Sequence, residues 1–69
     1  MNISKVEVSS IKVGSRLKYG SGITGTVTRI VSPYGGTFKI FDIEVDAVWL
    51  DQVYSKYAVI SEWNIEAIL

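Results

Sequence analysis

Sixty-nine residues, 48% of them hydrophobic, define one small domain with its own core and exclude a disordered tail. The chain has no cysteine and no histidine. That excludes disulfides, thiolate metal sites and the side chain whose ordinary pKa lies nearest neutrality. Seven basic and seven acidic residues cancel, so the overall basic excess of a strong nucleic-acid binder is missing.

No stretch approaches the roughly 18 apolar residues of a membrane span. The opening MNISKVEVSS has neither the charged start nor the apolar run of a secretory leader. The expectation is a cytoplasmic protein with no membrane association. Residues 1–10 read as a flexible extension or an edge strand of a single domain spanning 1–69.

From Ile11 onward the apolar residues follow strand rather than helix spacing. In RLKY (16–19) Leu17 and Tyr19 alternate with Arg16 and Lys18, which predicts a half-buried strand. TGTVTRIVS (24–32) is rich in β-branched residues. Its core candidates Val27 and Ile30 are three apart, which strict alternation forbids, so a bulge near Thr28–Arg29 is expected. SPYGG (32–36) reads as a hairpin turn: Pro33 fixes φ, Gly35 and Gly36 accept positive φ, and Tyr34 sits at the tip.

TFKIFDIEV (37–45) predicts a strand that changes phase, with a bend at Ile40–Phe41. AVWL and QVYSKYAVI supply further strand material, SEWN (61–64) a short 3₁₀ turn near the C-terminus, and IEAIL a last strand that closes a barrel. Short strands, glycine turns and one core predict an all-β fold, a five-stranded, strongly bent antiparallel barrel.

The charges are lopsided along the chain. Residues 1–39 carry Lys5, Lys12, Arg16, Lys18, Arg29 and Lys39 against Glu7. Residues 40–69 carry Asp42, Glu44, Asp46, Asp51, Glu62 and Glu66 against Lys56. Either the first half forms a basic binding face, or early strands pair with late ones and the charges meet across the sheet. The acidic stripe Asp42, Glu44, Asp46 spaces its side chains about 7 Å apart along a strand. That is too far for three carboxylates to share one cation, so cross-strand pairing with Arg29 or Lys39 is expected rather than a metal site.

The stretch IKVGSRLKY…GITGTVTRI resembles the entry of SH3-like small β-barrels, particularly KOW-type modules. The pattern falls on Ile11, Val13, Gly14, Ser15, Leu17, Gly20 or Gly22, Gly25, Val27 and Ile30. It is also similar to small archaeal or phage SH3-like domains of unknown function. The resemblance implies a sharp turn at Gly14 and a close backbone approach at Gly25, where the second strand crosses the first. It also implies binding of nucleic acid or protein through loops and aromatic faces.

With no histidine or cysteine the chain lacks an ordinary base near neutral pH, and no partner base accompanies its serines, so enzymatic activity is not expected. No cofactor is implied. Two binding surfaces are expected instead. Lys12, Arg16, Lys18 and Arg29 with Tyr19 and Tyr34 would form a basic rim with stacking platforms, contacting RNA, single-stranded DNA or a partner. Eight aromatic residues in 69 exceed what one small core hides. Trp63, Ile65 and Leu69 at the C-terminal edge are therefore candidate contacts for a protein partner or a second copy in a homo-oligomer.

Overall fold

Residues 5–69 are described by a computed structural model of the chain. They form five strands: β1 (Arg16–Tyr19), β2 (Ile23–Val31), β3 (Ile40–Val45), β4 (Tyr57–Ser61) and β5 (Ile65–Ile68). All neighbouring pairs are antiparallel, in the order β4-β3-β2-β1-β5. The class is the expected all-β one, but no ladder joins the terminal strands β4 and β5 among the described residues. The sheet is open, and β5 pairs with β1 instead of closing a barrel against β4.

β1 alternates as its sequence requires, with Leu17 and Tyr19 buried and Arg16 and Lys18 exposed. β2 breaks its register on β3 between Val27 and Arg29, leaving Thr28 as the extra residue. This bulge brings Val27 and Ile30 to the core side of the same strand. The SPYGG segment forms a 3₁₀ turn at Tyr34–Gly36, with φ of 75° at Gly35 and 84° at Gly36. The 3₁₀ turn expected near the C-terminus occupies Glu62–Asn64, where the Asn64 Oδ1 accepts the Ser61 backbone N–H at 3.3 Å.

Three expectations need correction. β3 is regular from Ile40 to Val45, burying Phe41, Ile43 and Val45, so no bend occurs at Ile40–Phe41. Phe38 escapes the phase conflict because it lies before the strand begins. AVWL is not a strand: Ala47–Trp49 is a 3₁₀ turn, and strand geometry resumes only at Tyr57. The chain leaves the ladder there because Asp46 and Trp49 are drawn back onto β2, the Asp46 N–H to the Thr24 carbonyl and the Trp49 indole to the Thr24 hydroxyl. Finally, Lys5–Ser9 is a helical turn, α1, and not an edge strand. The remainder of that expectation, residues 1–4, lies outside the described residues. α1 delivers Val8 into the core, with Ile11 following it.

One cluster holds the fold: Val8, Ile11, Leu17, Tyr19, Val27, Phe41, Ile43, Ile60 and Ile65. Among the described residues no helix is long and apolar enough to cross a membrane. Gly25 is the one glycine with no room for a side chain, and it is paired with Leu17 on one side and Val45 on the other. A Cβ there would collide with Ile43 Cγ2 and lie 2.7 Å from the Glu44 carbonyl oxygen. The close approach is therefore to β3, not to β1 as the sequence resemblance implied. Gly25→Ala should lower stability by about 2–4 kcal/mol, since the sheet backbone itself must move. Chemical denaturation checks this, and a variant as stable as the parent contradicts the packing at this position.

Candidate functional site

The outer face of the sheet is written by the register. One rung runs Arg16, Thr26, Glu44, Tyr57, and the next runs Arg29, Asp42, Val59. Bases of the early strands thus stand beside acids of β3, the arrangement in which the charge asymmetry is spent inside the sheet. Arg16 grips Asp46 with both guanidinium nitrogens at 2.6 Å and also donates to the Thr26 hydroxyl at 3.0 Å. Thr24 donates its hydroxyl to Asp46 at 2.6 Å and accepts the Trp49 indole N–H at 2.8 Å. The result is a four-membered polar chain, Arg16–Asp46–Thr24–Trp49, drawn from β1, β2 and the segment after β3.

Lys56 lies 3.4 Å from the Glu44 carboxylate and 5.7 Å from the centre of the Tyr57 ring. Arg29 faces Asp42 across the β2–β3 pair. The Lys39 backbone N–H donates to the Glu62 carboxylate at 2.8 Å. Among the described residues no cluster of three or more His, Cys, Asp or Glu could hold a metal ion. Val8, Ser9, Gly36, Phe38, Lys39 and Glu62 line a cavity of about 160 Å³, below the roughly 300 Å³ at which small-molecule pockets begin.

The expected basic rim is not brought together as a stacking surface. Lys12, Lys18 and Arg29 are exposed, but Arg16 is occupied by Asp46. Tyr19 is 6% exposed and belongs to the core, because it shares the parity of Leu17 on β1. Burial pushes its phenol pKa up, and the Asp46 charge adds to the effect. The Tyr34 side chain lies outside the described residues. At the C-terminal edge Trp63 is 56% exposed and tilts against Phe38 at 5.0 Å between ring centres. Leu69 is exposed, with its N–H donated to the Arg16 carbonyl. Ile65 is fully buried and unavailable as a surface contact: its side chain faces the core beside Tyr19, its partner on β1.

What sequence reasoning missed is the exposed face of β4, whose residues it placed in strand material without singling them out as a site. Tyr57 and Val59 are exposed on an edge strand, while Ala58 and Ile60 turn inward. The signal was present in YAVIS, where odd and even positions are both apolar although only one set can face the core. Val48 and Tyr54, also exposed, lie in the segment that leads from β3 to this edge. No family model, no curated protein and no solved structure matches the chain.

The hydrogen bond from Arg16, followed by that from Thr24, holds the Asp46 carboxyl down to about 2 from its ordinary 3.8. A carboxyl with a depressed folded-state pKa contributes stability that is complete above its unfolded value and is lost as pH falls through about 2. The pair is solvent-accessible, so Asp46→Asn should cost only about 1 kcal/mol at neutral pH. Denaturation curves of parent and variant should converge as pH drops below 3.8 towards 2. A pH-independent difference would show that the charge is not what Asp46 contributes.

Proposed function

We propose that the chain is a non-enzymatic, SH3-like small-barrel binding module that acts through protein–protein interaction or self-association. The observation that carries this reading is the set of large apolar side chains left at the sheet's margins. Tyr57 and Val59 lie on the β4 edge, Trp63 tilts against Phe38 at the following turn, and Leu69 follows β5. Such a display on so small a fold favours a macromolecular partner over solvent. The strand order, the bulge in β2 and the 3₁₀ turn between β4 and β5 support treating the curved sheet as an SH3-like barrel.

Nucleic-acid binding is the second reading, and the exposure of Lys12, Lys18 and Arg29 favours it. It is the weaker one, because Arg16 is ion-paired and Tyr19 offers no ring to stack on. Weak, salt-sensitive attachment is the most these three cations support.

Titration with single-stranded DNA and RNA across a salt series separates the two. The protein-binding reading expects feeble affinity even at low salt, unchanged by Trp63→Ala. Micromolar affinity whose logarithm falls steeply with the logarithm of salt concentration would overturn it. Sedimentation at rising concentration then decides between a second copy and a foreign partner.

A further inference from the structure

The hydrogen-bond phase of β4 defines what its open edge can accept. Val45 donates to the Lys56 carbonyl at 2.8 Å and Glu62 donates to the Lys39 carbonyl at 3.0 Å. In an antiparallel pair, bonded and non-bonded residues alternate. With the β3–β4 register, these bonds turn the backbone groups of Ala58 and Ile60 towards β3 and those of Tyr57, Val59 and Ser61 away from it. Two of the outward donors are already taken. The Tyr57 N–H binds Ser55 Oγ at 3.2 Å, and the Ser61 N–H binds Asn64 Oδ1 at 3.3 Å. The Ser61 carbonyl stands at the start of the 3₁₀ turn. Facing outward with no partner among the described residues are the Val59 N–H and the carbonyls of Val59 and Tyr57, flanked by the exposed Tyr57 and Val59 side chains.

We infer that this edge binds an extended, uncharged apolar segment of another protein, which adds as a sixth strand antiparallel to β4. The inference rests on the protein-interaction reading above and names the partner's chemistry. An incoming strand can exchange two hydrogen bonds with Val59, and its N–H two residues further on can donate to the Tyr57 carbonyl. Its side chains on that face then cover Val59 and Tyr57.

Two observations select this occupant over a second copy. A two-fold pairing of β4 with itself about Val59 sets each Tyr57 carbonyl against a Ser61 N–H that Asn64 already holds. Those carbonyls would be buried without donors, at a cost comparable to a lost hydrogen bond. The edge is also only five residues long with two outward apolar side chains. The area it can bury falls well short of the roughly 800 Å² per partner of a stable dimer. Charge decides the partner's polarity. Glu44 is matched by Lys56, Asp46 by Arg16, and Asp42 faces Arg29, so the face beside β4 offers no net charge to a charged peptide.

The test is a display library of random nine-residue peptides selected on the full chain, with each binder resynthesised in normal and alternately N-methylated forms. Binding is followed by backbone amide shifts. The expected binders are apolar and uncharged and shift the amides of Tyr57, Val59 and their β3 neighbours. They should weaken about tenfold or more both on N-methylation and in Val59→Pro, which deletes the outward Val59 N–H donor. Val59→Lys, which keeps the backbone donor, guards against misfolding of the proline variant and should weaken binding through lost apolar contact alone. Binders that shift Trp63 and Phe38 but not β4 would overturn strand addition and leave the interaction reading standing. Concentration-dependent protection of Val59 without peptide would replace the peptide by a second copy. No binders and no self-association would end both readings.

Discussion

The contact on which the architecture depends is the seat of Ile43 over Gly25. β2 is the one strand that pairs along its length with β3 while pairing through its first half with β1. At Gly25 it is flanked on both sides, and the missing side chain lets β3 press close enough for Ile43 to lie fully buried. A few residues on, the Thr28 bulge adds local twist and bends the strand. Close approach and bend together let one sheet gather Leu17, Val27, Phe41, Ile43 and Ile65 into a single cluster with no disulfide to help. In a chain this short, little net stability remains after chain entropy is met, so one misplaced methyl group is a large fraction of it.

With the core settled in this way, the outer face is left to electrostatics, and there part of the sequence's lopsided charge is paired. Arg16 and Asp46 close a bidentate pair across three strands, and Thr24 and Trp49 extend it. The pair is too accessible to hold the fold by itself. Its effect is positional: it ends β3, folds the following segment back onto β2, and fixes the path by which the chain reaches β4. The edge strand therefore arrives with Tyr57 and Val59 outward and with its terminal donors capped by Ser55 and Asn64. Partial capping is a form of edge protection. It narrows what the edge can pair with to one short register.

Much of the fold was legible from local pattern. RLKY could be placed from its alternation, the bulge from two core residues at a forbidden spacing, and the turn after β2 from its proline and glycines, while SEWN forms the expected 3₁₀ turn. The errors share one physical origin. AVWL has the composition of a strand, yet Trp49 finds its hydrogen-bond partner 25 residues back at Thr24, and no local window contains that. Five residues of α1 are too few to show a helical period. Phe38 looked like a strand residue because nothing near it in sequence reveals Trp63. At the site, the basic neighbours of Tyr19 suggest a rim position although its parity with Leu17 places it inside, and the nearness of Trp63 suggests a surface position for Ile65, which instead packs inward beside Tyr19. That charges would meet across the sheet was readable in kind; which arginine met which aspartate required the register.

Native-state hydrogen exchange tests the central claim most directly, because it reads one core and one open edge in the same molecule. The amides of Val27 and Ile43 should exchange only through global unfolding and report equal opening free energies, while the Val59 amide of the free monomer should exchange with little protection. Distinct opening energies on the two sides of β2, or a Val59 amide as slow as Ile43 in the monomer, would contradict a single core bordered by an open outer edge of β4.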